Sequence, residues 1–149
     1  PVWRVREALT RRLPHGWSLV DLHDVWLGAP ALAGRVTGAV YRVTLEAAGC
    51  PDAEAVGSAA AELLAAGELV RTRLKGGRSV AYDLRPLVAG ISVAEPGPPV
   101  VLRIETRIHP ERGSGRPEEV VAALGDHLGQ PIVVRSMVRE RLILDDEPD

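Results

Sequence analysis

The chain has 149 residues, 46% of them hydrophobic, and a formal net charge of −2. A length of this order suits one compact domain burying roughly 70% of its unfolded surface, with room for a small appendage. Well-mixed charge argues against attachment to nucleic acid or anionic membrane by bulk electrostatics, though not against a local basic patch. Cys50 is the single cysteine, which excludes an intrachain disulfide and a thiolate metal cluster. No apolar run approaches the roughly 18 residues of a membrane span and no signal peptide is legible. No membrane partner is therefore expected, and a reducing, cytoplasmic location fits.

Val2–Leu13 places Val2, Val5, Leu9 and Leu13 on one side and four arginines elsewhere, an amphipathic helix. It opens the chain without a preceding Met, as a piece of something longer would. Pro14-His15-Gly16 stops the helix. Trp17–Leu27 then alternates as a strand, and Gly28-Ala29-Pro30 turns the chain. Residues 31–38, rich in small side chains, suit either a short helix or an irregular connector. Val40–Leu45 is a short strand. Cys50-Pro51-Asp52-Ala53-Glu54 starts a helix that buries Val56, Ala60, Leu63 and Leu64 and stops at Gly67.

Leu69–Leu74 and Val80–Leu84 flank Lys75-Gly76-Gly77-Arg78, a β-hairpin with a basic tip. One helical turn fits residues 87–90, followed by a strand at Ile91–Ala94. Val100–His109 is the clearest strand of the sequence, with Leu102, Ile104 and Ile108 on one face and Arg103, Glu105, Arg107 and His109 on the other. Arg116-Pro117-Glu118-Glu119 repeats the earlier helix start, and Val120, Val121, Leu124 and Leu128 form its buried stripe up to Gly129. Ile132–Leu144 closes as a long strand with Val134, Val138, Leu142 and Leu144 inward, followed by an acidic tail at 145–149.

From Val40 the order is strand, helix, strand, strand, helix, strand, with a hairpin inserted after the first helix. That order predicts an α+β fold of the ferredoxin-like split βαββαβ type, spanning residues 39–144. Two right-handed crossovers put both helices on one sheet face and leave the other open. Residues 1–38 then form a leftover helix and strand from an upstream unit. Such a pair cannot bury itself, so it is expected to pack on the main domain or on a missing N-terminal half.

Alternation places Arg42, Thr44, Arg103, Glu105, Arg107, His109, Arg135, Arg139 and Arg141 on the open face. A cluster of guanidinium groups suits phosphates or acidic side chains. The competing explanation is a face that is solvated or covered by an upstream unit. Exposed aromatics for stacking bases are lacking, and Tyr41 points inward. The hairpin tip, Lys75 and Arg78, is either a solvated turn or a basic finger; Lys75-Gly76-Gly77-Arg78 has too few glycines and no following helix for a phosphate loop. Asp21-Leu22-His23-Asp24-Val25-Trp26 touches a cobalamin-binding pattern, but Trp26 stands where that pattern needs glycine. Cys50 precedes a helix start, with no base nearby in sequence. His15, His23, His109 and His127 never fall at metal-ligand spacing. No catalytic residue, metal site or cofactor is assigned to the chain.

The segments PHGWSLVDLHDVWLGAPALAGRVTGAVYRVTL, LKGGRSVAYDLRPLVAGISV and GSGRPEEVVAAL together resemble the C-terminal part of the radical-SAM-associated family, bacterial proteins fused to or encoded beside radical-SAM enzymes. The resemblance covers most of the chain and lies in layout and turn motifs. It implies that the family's amino-terminal half, with a Ser-His-x-Asp-type segment, is missing here. Radical-SAM chemistry needs three thiolates for its iron–sulfur centre, so with Cys50 alone it cannot sit in this chain. The resemblance implies an accessory, substrate-presenting domain that works with a radical-SAM enzyme; the class of substrate stays open, with a structured RNA as the first candidate for the arginine-rich face or the basic finger. Two alternatives are an enzyme whose catalytic residues lie in the missing half, with Arg103, Arg107 and His109 completing an anionic-substrate site, and a purely structural domain.

Overall fold

The computed structural model describes residues 1–29 and 31–145, with only the backbone of Lys75. The acidic tail therefore lies outside the described residues beyond Asp145. The chain divides into two units, residues 1–34 and 35–149.

In the first unit, α1 (Val2–Arg12) has the expected amphipathic pattern, yet none of its residues is buried. The strand expected over residues 17–27 does not form: this stretch has no regular secondary structure. Alternation supplies a face, but a strand exists only through a ladder with a neighbour, and residues 17–27 pair with none. Local polar contacts fix the segment instead. Arg6 donates to Asp21 Oδ1 and to the Leu22 carbonyl, both at 3.2 Å, and Asp21 accepts the Leu22 N–H at 2.7 Å. The Arg6 bond and that N–H, the latter foremost, hold the Asp21 carboxyl below the usual aspartate value. The small-residue connector resolves into α2 (Leu32–Arg35), running straight into the next strand.

The second unit begins with β1 (Val36–Leu45), then α3 (Ala53–Ala65), β2 (Val70–Lys75), β3 (Arg78–Asp83), a single 3-10 turn at Arg85–Leu87, β4 (Val88–Glu95), β5 (Val101–His109), the short β6 (Gly113–Ser114), α4 (Pro117–Leu128) and β7 (Val134–Leu144). The main sheet has the order β4-β5-β1-β7, all antiparallel, and β6 adds to the end of β5. Each helical crossover skips one strand: β1–α3–β4 passes β5, and β5–α4–β7 passes β1. That is the ferredoxin-like order.

α4 starts at the proline the sequence signals, whereas α3 starts at Ala53, two residues after Pro51, which precedes the cap instead of taking the first helical position. Asp52 caps α3, its carboxylate accepting the N–H groups of Glu54 and Ala55. Pro117 opens α4 with Glu118 and Glu119 in the first turn, and Gly129 ends it at φ 69°, a left-handed conformation that favours glycine. Their apolar stripes (Val56, Ala59, Ala60 and Leu63; Val120, Val121 and Leu124) close on Val43, Leu45, Leu102 and Ile104 of the central strands to make the core. Glu62 and His127 join the two helices at 2.9 Å.

The β2–β3 hairpin forms a separate two-stranded sheet. Gly76 and Gly77, both at positive φ, make its tight turn. Its base is tied down by Arg85, which donates to the Leu64 and Val88 carbonyls, and by Asp83, which accepts the Leu69 N–H. Its flank lies on α4 through Arg71–Asp126 and Tyr82–Glu119.

Candidate interaction surface on the open sheet face

In an antiparallel ladder, residues directly opposite share a face. On β1, Tyr41, Val43 and Leu45 join the core, so Val40, Arg42 and Thr44 project away from α3 and α4. Register carries that face outward. Arg42 stands opposite Arg103, Val40 opposite Glu105 and Gly38 opposite Arg107. On β4, Gly90, Ser92 and Glu95 follow, and on β7, Ser136, Val138 and Arg141. On either side of the Arg42–Arg103 pair, Val40 and Val101 are each only 3% exposed.

Arg42, Arg103, Arg107 and Arg141 thus share this face, and Arg42 and Arg103 stand directly opposite one another. Arg42 bonds to Glu95, and that carboxylate raises its pKa, with Glu140 adding a smaller attraction. Arg103 lies 3.4 Å from Glu105 along its own strand. Arg107 is exposed and forms no ion pair among the described residues.

The remaining expected residues lie elsewhere. β7 carries two irregularities that uniform alternation cannot anticipate, one between Arg139 and Arg141 and one between Val134 and Ser136. The first puts Arg139 opposite Tyr41, on the helix-facing side. Between the two, Met137 takes the inward position expected of Val138, which is 54% exposed opposite Arg42. Each irregularity inserts a residue and reverses the phase of the strand beyond it. Arg135 falls in the second, near Leu45 and at the far end of the strand from Arg141. His109 ends β5, its Nδ1 accepting the N–H groups of Glu111 and Arg112 at 3.2 and 3.3 Å, so the ring closes the turn. Lys75 and Arg78 pair at the hairpin tip, apart from the sheet face.

A second charged cluster sits between the hairpin and α4. The Arg73 guanidinium lies 4.7 Å over the Tyr82 ring, and the Tyr82 hydroxyl donates to Glu119. Burial raises the Glu119 pKa against the pull of Arg73 and Arg71. Beside this cluster, between the hairpin and the turn after β5, lies an open cleft of about 400 Å³ lined by Arg73, Tyr82, Asp83, Glu111 and Arg112. Alternation of Arg71 and Arg73 along β2 is the only trace of this cluster in the sequence. Among the described residues no group of three or more His, Cys, Asp or Glu could hold a metal ion, and no helix is long and apolar enough to cross a membrane.

Fold and surface define an α+β sandwich with one helix-covered and one charged sheet face. The chain belongs to the bacterial family described as "Uncharacterized protein conserved in bacteria (DUF2344)", whose model matches residues 1–120. Neither the curated proteins nor the solved structures contain a match.

Proposed function

We propose that this chain is an accessory domain that docks a partner through the helix-free face of its sheet and presents a substrate to a radical-SAM enzyme. One observation supports the reading: register places Arg42, Arg103, Arg107 and Arg141, from three adjacent strands, on the face turned away from α3 and α4. The radical-SAM partner comes from the resemblance of three segments, beginning at Pro14, Leu74 and Gly113, to the radical-SAM-associated family. Phosphate is the ligand that arginines in this density suit best, and a structured RNA is the substrate class ranked first. Tyr41 packs toward the core and Tyr82 lies on the hairpin, so this face would hold RNA by its backbone rather than by stacked bases.

The test mixes the full-length protein with RNA and with a co-encoded radical-SAM protein at increasing salt. RNA binding that weakens steeply with salt, and is lost in the Arg103→Ala, Arg107→Ala double variant, supports the RNA reading. Capture of the radical-SAM protein without RNA supports docking alone. Binding that ignores both salt and the double variant contradicts both.

A further inference from the structure

All three tryptophans of the chain, Trp3, Trp17 and Trp26, lie in the first unit and are 60%, 71% and 79% exposed. None of the described residues of this unit is buried. On α1, Arg4, Ala8 and Arg12 form a row at four-residue spacing, and Val5 and Leu9 form the row beside it. The groove of about 280 Å³ along them is lined by these five residues alone. Grooves between such rows are what the side chains of a second helix enter. The extended segment lies on the other flank, where Leu22, His23 and Asp24 border a cleft with Pro1, Val2 and Val5. Charge sorts the arginines in the same way. Arg6 pairs with Asp21 and Arg11 with Glu7, whereas Arg4 and Arg12, at the two ends of the groove, have no carboxylate partner among the described residues.

We infer that this groove docks an acidic amphipathic helix of a partner protein. Arg4 and Arg12 are about 12 Å apart along the axis. The partner helix therefore carries carboxylates roughly two turns apart, with aliphatic side chains between them to cover Val5, Ala8 and Leu9. This surface is distinct in sequence from the arginine-bearing strands, and its failure leaves the reading of the sheet face intact.

No tryptophan lines the groove, so docking is read by the fluorescence anisotropy of a labelled peptide. The full-length protein is titrated into a synthetic Leu/Glu amphipathic helical peptide, its glutamates two turns apart, and into the same peptide carrying Lys for Glu. The expected result is a saturable rise in anisotropy with the acidic peptide only. Arg4→Glu with Arg12→Glu weakens that binding on the order of tenfold and brings in the basic peptide, while circular dichroism confirms that α1 is retained. Leu9→Ala weakens binding without changing the charge preference. Three results overturn the inference: equal response to both peptides, response to neither, or binding of the protein to phosphatidylserine vesicles but not to the acidic peptide.

Discussion

Arg42 of β1 and Arg103 of β5 stand directly opposite one another on the helix-free face, and each is met by its own carboxylate, Glu95 and Glu105. Like charges facing across a ladder are destabilising, so the two glutamates are what let the arginines sit side by side. Glu95→Gln is expected to lower the melting temperature slightly at low salt and to have no effect near 1 M salt, where screening acts over about 3 Å. A salt-independent loss would mean that Glu95 acts through packing.

The hairpin is fastened to α4 partly by the Tyr82 hydroxyl on Glu119. Tyr82→Phe keeps the ring under Arg73 and removes only that bond, at an expected cost of about 1 kcal/mol. Denaturant unfolding measures the loss. Hydrogen exchange should quicken across Val70–Asp83 and stay unchanged in the central strands β1 and β5.

Glu119 also sets a pH dependence. Burial raises its pKa above the ordinary 4.5. Between the two values the folded chain keeps the proton that the unfolded chain has lost, so stability falls as pH rises through that window. Glu119→Gln removes this fall while keeping an acceptor for Tyr82. The variant should therefore gain stability relative to the parent between pH 4 and pH 7. Urea midpoints at both pH values check this, and a relative loss toward pH 7 would contradict it.

Two glycines mark close backbone approaches. A Cβ at Gly38 would press on the Thr106 carbonyl, and one at Gly115 on the Leu87 carbonyl. Neither obstacle is a flexible side-chain end, so Gly38→Ala and Gly115→Ala should each cost about 1–3 kcal/mol. Gly67→Ala, with open space around it, serves as the neutral control in the same unfolding series.

The sheet order and both main helices were legible because local signals agree with the fold: Pro51-Asp52 and Pro117-Glu118 at helix starts, Gly129 at a stop, and clean alternation in Val101–His109. Strand β7 was legible in extent but not in phase, since its irregularities depend on pairing with β1 and leave no mark in the pattern of Val134–Leu144. Glu95 escaped notice for a related reason. It closes β4 beside a proline-rich turn, and only register brings it to Arg42. Trp17–Leu27 shows the converse, an alternation with no ladder to join.

If Arg42, Arg103, Arg107 and Arg141 together form the docking face, their side chains should respond as one group to a partner. Nε–Hε resonances of the arginines, followed by NMR while RNA or the radical-SAM protein is added to the full-length protein, read this residue by residue. These four are expected to shift together, while Arg71 and Arg85 of the hairpin region stay fixed. Shifts confined to the hairpin arginines, or absent from Arg103 and Arg107, would contradict a docking role for the sheet face.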